Sequence, residues 1–265
     1  MVRFVYNLKL LKKKIENRIL KYKKILKNDE FIINDDLIDC NDKFWTFLNN
    51  LPLLHTFDDG RSFNTGGFDK YSLEFLYKFI KKNISNPKII ETGMGCTTIC
   101  FLFTKPKRLV TICPEWQINL YNFYEKFTTQ ISKYELNCNM FTLIKELSEK
   151  ALPKIVYENM NDNAEYDLAF IDGNHGLGVM IDYFYTMQII KKNGYLILDD
   201  VWIHSVNQLA KILKYSKNWK HVVSYKKTAY FQKITDAKSM GDWDEIEYIK
   251  KMSEENYVRA NSFEF

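Results

Sequence analysis

The sequence predicts an α/β fold, a mostly parallel sheet covered by helices on both faces. Two observations predict it. From Asp69 to Lys233, short apolar runs alternate with stretches of helical periodicity, and successive parallel strands need crossovers of that kind. The first apolar run, Ile89-Ile90, passes through Glu91 into Gly93-Met94-Gly95 and then an apolar helix. Glycines at that place let the backbone turn tightly and approach a ligand at the positive end of the following helix.

The elements follow in order. Leu8, Leu11, Ile15, Ile19, Tyr22 and Leu26 recur at steps of three and four, giving an amphipathic helix with a basic outer face. Residues 1–28 hold ten Lys/Arg against Glu16 alone, a local +9 within an overall +5, so residues 29–265 carry −4. Such a helix packs on its own domain, joins a second copy into a homo-oligomer, or lies on an anionic membrane. Residues 29–66 are loop-rich, with turn signals at Asn34-Asp35-Asp36 and Asp58-Asp59-Gly60 around a short buried helix, Phe44-Trp45-Thr46-Phe47-Leu48.

Leu73, Phe75, Leu76, Phe79 and Ile80 mark a helix over 69–82, broken by Asn83–Pro87 before the glycine strand. The helix after the glycines is expected at about 97–104. A second strand, 108–112, leads to Cys113-Pro114-Glu115-Trp116, and 116–131 has helical spacing. Further strands are expected at 141–144, 167–172 and 194–200, with helices at 178–191 and 205–215. Residues 222–225 and 229–233 read as a closing hairpin around Lys226-Lys227-Thr228. This divides the chain into an N-terminal helical extension and lid (1–66), an α/β domain (67–233) and a C-terminal tail (234–265).

Composition narrows the class. Hydrophobic residues make up 46% of 265, enough for a sizeable core. No apolar run approaches the ~20 residues of a membrane span, and Met1-Val-Arg-Phe-Val-Tyr-Asn7 lacks the features of a signal peptide. Five cysteines with no Cys-x-x-Cys pair fit reduced thiols and a cytoplasmic protein.

Ligands of a parallel sheet bind beyond the carboxyl ends of its strands. Glu91, Glu115, Asp172, His175, Asp199 and Asp200 all follow apolar strands, so they converge on one crevice. Glu115 stands where an acidic side chain accepts hydrogen bonds from ribose hydroxyls. Asp172, Asp199 and Asp200 would repel one another unless a hard divalent cation such as Mg²⁺ lay among them. His175 is placed to take a proton from a substrate hydroxyl, with His204 a rival near the same edge. Trp116 and Phe170 are candidates for stacking on an adenine.

Glu91-Thr-Gly-Met-Gly95, Thr111-Ile-Cys-Pro-Glu115, Phe170-Ile-Asp-Gly-Asn-His175 and Leu196-Ile-Leu-Asp-Asp-Val201 together resemble the class I S-adenosylmethionine-dependent methyltransferases. Within that class the chain is most similar to metal-dependent small-molecule and sugar O-methyltransferases of the macrocin type, over roughly residues 69–233. The resemblance implies a Rossmann-like seven-stranded sheet whose last strand is antiparallel. It implies S-adenosylmethionine held by Glu91, Gly93, Gly95, Thr97, Thr98, Glu115 and Asp172. It further implies Mg²⁺ or another divalent cation on Asp172, Asp199 and Asp200, with His175 as base and Asp172 beside it in catalysis. The acceptor expected from it is a sugar, a nucleotide-linked sugar or a similar small molecule, with a phenolic or catechol-type acceptor as the alternative. Cys113 departs from the family pattern, where aspartate is usual, and Glu146 matches the adenine-contacting acidic position poorly.

Three rivals fare worse. A nicotinamide-dependent dehydrogenase would have a third glycine where Thr98 stands. A nucleic-acid methyltransferase is disfavoured by the absence of an Asn/Asp-Pro-Pro-aromatic run and by the −4 body, so no nucleic-acid partner is expected. A non-catalytic module docking through residues 1–28 is the third.

Overall fold

The computed structural model describes residues 42–57, 62–63, 68–162, 165–242 and 244–260, all within one compact unit, Ile33–Phe265. The amphipathic helix expected over residues 8–26 and the turn at 34–36 lie outside the described residues.

Helix α1, Asp42–Asn49, buries Phe44, Phe47 and Leu48. Phe44 stacks on Tyr77 with ring centroids 3.8 Å apart and meets Phe103 edge-on at 5.3 Å, while Phe47 meets Tyr134 edge-on at 5.8 Å. These contacts pin the segment ahead of the sheet to three helices of the body. A two-residue antiparallel pairing follows, β1 (Thr56–Phe57) with β2 (Ser62–Phe63). Helix α2, Lys70–Asn83, starts where Asp69 accepts the N–H groups of Tyr71 (2.9 Å) and Ser72 (3.0 Å). It ends with Lys81 and Lys82 in the last turn, the sign that complements the helix dipole.

The alternation expected from the sequence then appears. Strand β3 is Lys88–Thr92, α3 Cys96–Phe103, β4 Arg108–Ile112, α4 Glu115–Ile118 and α5 Phe123–Tyr134. The single helix expected over 116–131 is broken, because Tyr121 and Asn122 take left-handed φ values of 45° and 57°. Asparagine tolerates that region better than most residues, and the chain re-aims before α5. Strand β5 is Phe141–Ile144. Helix α6, Ser148–Asp162, carries Pro153 inside it, a residue that removes a backbone donor and conceals the helix from pattern reading.

Strand β6 is Tyr166–Ile171, α7 Gly178–Ile189, β7 Ile190–Leu198, α8 His204–Lys214, β8 Trp219–Tyr225, β9 Thr228–Lys233 and α9 Glu247–Ala260. The last of these lies in the expected C-terminal tail. The seven-stranded sheet runs β5-β4-β3-β6-β7-β9-β8. Pairings from β5 to β7 are parallel, and β9 runs antiparallel to both β7 and β8. Buried Lys233 on β9 donates to the carbonyls of Met187 (2.6 Å) and Ile190 (2.9 Å), satisfying acceptors where α7 gives way to β7.

Chain order reverses between β3 and β6, since β4 and β5 build outward on one side and β7 on the other. A crevice opens beyond the carboxyl ends of the strands at such a reversal. The glycine turn leaves β3 there, and Asp172 leaves β6.

Candidate active site

Four strand ends are locked side by side. Asp172 N–H donates to Thr92 O (3.0 Å), Asp199 N–H to Ile171 O (3.1 Å) and Gly93 N–H to Ile112 O (2.9 Å). The residues that follow β3, β6 and β7 are therefore neighbours by backbone geometry alone. Gly93 has φ +89°, and a Cβ there would lie 2.4 Å from the backbone oxygen of Asp172. Only glycine fits.

Beneath this turn the Glu91 carboxylate is buried and receives three hydroxyls. Thr97 donates to Oε1 at 2.6 Å, and Thr98 and Thr111 donate to Oε2 at 2.8 and 2.9 Å. Gly95 N–H donates to the Thr98 hydroxyl (3.1 Å). Glu91, Thr97 and Thr98 thus bind one another, and through Thr98 they hold the turn. Burial pushes the Glu91 carboxyl up to about 8 despite those hydroxyls. The folded chain then keeps a proton that the unfolded chain has lost, so this group's stabilisation is complete below pH 4.5 and disappears as pH rises through 8. Glu91→Gln is expected to make stability less dependent on pH between 5 and 8. Urea midpoints across that range should lose up to about 1.4 kcal/mol per pH unit of slope, one proton's worth. An unchanged slope would place the proton elsewhere.

Beyond β6, the His175 Nε2 stands 3.3 Å from Asp172 Oδ1 and 3.5 Å from Asp200 Oδ2. These three are the group among the described residues whose ligand atoms all lie within 4.8 Å of one another. The hydrogen bond to Asp172 raises the His175 pKa above 6.5, burial opposes it, and the charges of Asp172, Asp200 and Asp199 add to the rise. Ser205 Oγ donates to the His175 carbonyl, tying this loop to the start of α8.

Asp199 is turned away from that group. Its Oδ1 accepts the Thr228 hydroxyl (2.7 Å), and its Oδ2 lies 2.8 Å from the Lys227 ammonium. Lys227 also lies 2.9 Å from Asp200 Oδ1, which accepts the Trp202 indole N–H at 2.7 Å as well. Burial and the neighbouring Asp172 push the Asp199 carboxyl up against the pull of Lys227. Burial lowers the Lys227 pKa, but Asp199 and Asp200 outweigh it and the net shift is upward. The sequence placed Lys227 merely in a hairpin turn, and only the fold shows it between the paired aspartates.

Other candidates separate cleanly. Glu115 is exposed in the first turn of α4, with Trp116 beside it at 64% exposure, so both are open to the crevice side of β4. Phe170 is fully buried between Phe68 and Phe101, a core residue. Cys113 is buried, Glu146 accepts the N–H of Leu147 (3.1 Å), and His204 is exposed with its ring 3.4 Å from Gln208. Two residues near the site had not been singled out. His55, ahead of β1, hydrogen-bonds the backbone of Met94 and packs on Phe123 at 4.8 Å, so the N-terminal segment reaches the glycine turn. Asp182 on α7 is fully buried beneath Gly173, its carboxyl pushed up to about 6 by burial. A carboxylate inside an apolar helix was the available signal for Asp182; a loop histidine carries none.

Residues 90–201 match the family described as a methyltransferase domain. No curated protein matches the sequence. Among solved structures, a putative caffeoyl-CoA O-methyltransferase from Staphylococcus aureus is similar over 73% of this chain and 90% of its own, at 14% identity and a TM-score of 0.50. A methyltransferase from Geobacter sulfurreducens is similar over 74% of this chain and 98% of its own, at 14% identity and 0.49. The MycE methyltransferase of the mycinamycin biosynthetic pathway, in complex with Mg and SAH, is similar over 65% of this chain at 11% identity and 0.45. This chain spans 52% of that MycE structure. At these identities the likeness is one of fold.

Proposed function

We propose that this chain, whose residues 90–201 match the family described as a methyltransferase domain, is a class I S-adenosylmethionine-dependent methyltransferase that methylates a hydroxyl oxygen of a small molecule. The observation that carries the proposal is the adjacency of the Gly93–Gly95 turn to the Asp172–His175–Asp200 group across the switch point of the sheet. A hydroxyl is a poor nucleophile until its proton is removed, and a histidine set between two carboxylates suits that task. A sugar or nucleotide-linked sugar is the acceptor class we favour, because the sequence motifs resemble the macrocin-type enzymes.

In this reading Gly93 and Gly95 let the cofactor approach the backbone, supported from below by Glu91, Thr97 and Thr98. Glu115 accepts hydrogen bonds from the ribose, and Asp172 borders both cofactor and acceptor. His175 Nε2 takes the acceptor's proton, and the Asp172 carboxylate stabilises the imidazolium that results. Holding oxygen, methyl carbon and leaving sulfur in line supplies much of the rate. The donor set fits a hard divalent cation: Asp172 and Asp200 each offer an oxygen within 4.8 Å of the other and of His175. Such an ion, when bound, would polarise the acceptor hydroxyl and lower its pKa. Residues 42–57 with His55 form the inner edge of a lid over the turn. Among the described residues no helix is long and apolar enough to cross a membrane, and Cys96, Cys100, Cys113 and Cys138 are free thiols, which fits a reducing cytoplasm.

Calorimetric titration with S-adenosylhomocysteine, beside a matched titration with NAD, tests the cofactor. Micromolar binding of the first and none of the second is expected. Screening sugar, phenolic, amine and thiol acceptors with and without chelator then tests the chemistry. Turnover confined to amine or thiol acceptors would overturn the hydroxyl assignment.

A further inference from the structure

The carboxylates beyond β6 and β7 have two ways to offset their repulsion. One is an ion from solution. The other is already built into the fold, at the β8–β9 turn.

The turn's Lys226 takes φ +51° and Lys227 follows it. Val201 N–H donates to the Lys227 carbonyl (2.9 Å), which fastens the turn to the loop carrying Asp199 and Asp200. Lys226 ion-pairs with Asp69 (2.7 Å), the residue that caps α2, so the turn is fixed on its other side as well. The Lys227 ammonium lies 5.6 Å from the Phe68 ring centroid and bridges the two aspartates at 2.8 and 2.9 Å. With Thr228 on Asp199 Oδ1 and Trp202 on Asp200 Oδ1, both oxygens of Asp199 and one of Asp200 have donors. Asp200 Oδ2 faces His175.

We propose that Lys227 is a resident cation of this site, which withholds Asp199 and one oxygen of Asp200 from a divalent ion and so sets how tightly such an ion binds. The inference rests on reading the crevice as a methyl-transfer site with a divalent cation on Asp172 and Asp200. Lys227 is a positioning residue in it. A fixed positive charge beside the ligand oxygens opposes a second cation through Coulomb repulsion that a half-buried site screens poorly. It also offsets one of the three negative charges when no ion is bound, which limits the repulsion between Asp199 and Asp200.

Mn²⁺ alone, followed by electron paramagnetic resonance on the full chain, tests this without knowledge of the acceptor. Lys227→Met and Lys227→Gln are expected to bind Mn²⁺ at least about tenfold more tightly than the wild type, and Lys227→Arg like the wild type. Gln keeps N–H donors for both aspartates, so it tests the charge even where Met disturbs the fold, which circular dichroism would report. A merely structural lysine would weaken binding when removed, not strengthen it. Equal or weaker Mn²⁺ binding by folded Lys227→Gln, or no binding by any form, would overturn the proposal. S-Adenosylhomocysteine titrated into the same preparations separates the two readings. If the wild type does not bind it, the methyl-transfer reading fails on its own, whatever Mn²⁺ does.

Discussion

Gly93→Ala is expected to destabilise the fold by about 2–5 kcal/mol and to abolish S-adenosylhomocysteine binding. Two costs combine. An L-residue at φ +89° is strained, by about 1–2 kcal/mol. The new Cβ would also meet the Asp172 carbonyl oxygen at 2.4 Å and its carbon at 2.9 Å, and relieving such overpacking costs a further ~1–3 kcal/mol. Neither contact can swing aside, because Asp172 is held by its own hydrogen bond to Thr92 O (3.0 Å). Gly95→Ala is the control. Its backbone is extended, at φ −172°, and its Cβ would meet only the His55 ring, at 3.0 Å. That variant should stay within about 1 kcal/mol of the wild type yet bind the cofactor weakly, since the added methyl faces the turn. Urea denaturation and calorimetry on both variants would show the split. Equal loss of stability in the two would mean that the turn is not organised as described.

His175→Ala is expected to lower methyl transfer by about 10²–10⁴-fold while leaving S-adenosylhomocysteine binding intact. The wild-type rate at low acceptor concentration should climb with pH. The base acts in its neutral form, and the hydrogen bond to Asp172, joined by the Asp200 and Asp199 charges, raises the His175 pKa above 6.5. The rising limb therefore lies above 6.5 in chelated enzyme, and the alanine variant should lack it. A variant that kept the limb would move the base elsewhere.

The strands were legible because a parallel sheet buried on both faces leaves short apolar runs that little else produces. Arg108–Ile112 and Phe141–Ile144 have the bounds expected of them, and the flanking turns mark the others within a few residues. What failed was local. Left-handed Tyr121 and Asn122 break a helix whose spacing looked continuous, and α6 runs through Pro153. Both are decided by how the chain packs on the sheet, which periodicity does not contain. In the site, strand-end logic brought Asp172, His175 and Asp200 to one place, because position after a parallel strand fixes position in the crevice. It could not tell which way Asp199 turns, since two adjacent residues at a strand end point to different sides.

The sequence by itself determined the alternation of strands and helices, the glycine turn, and the acidic residues that gather beyond the strand ends. These are local or periodic properties, and each is written within a dozen residues. Only the tertiary structure decided that Glu91 is held by three threonines and supports the turn through Thr98, that His55 reaches it from the N-terminal side, and that Lys227 stands between Asp199 and Asp200. Those contacts join residues 6 to 39 positions apart. Their energies depend on burial and distance, quantities that exist only once the sheet has closed around them.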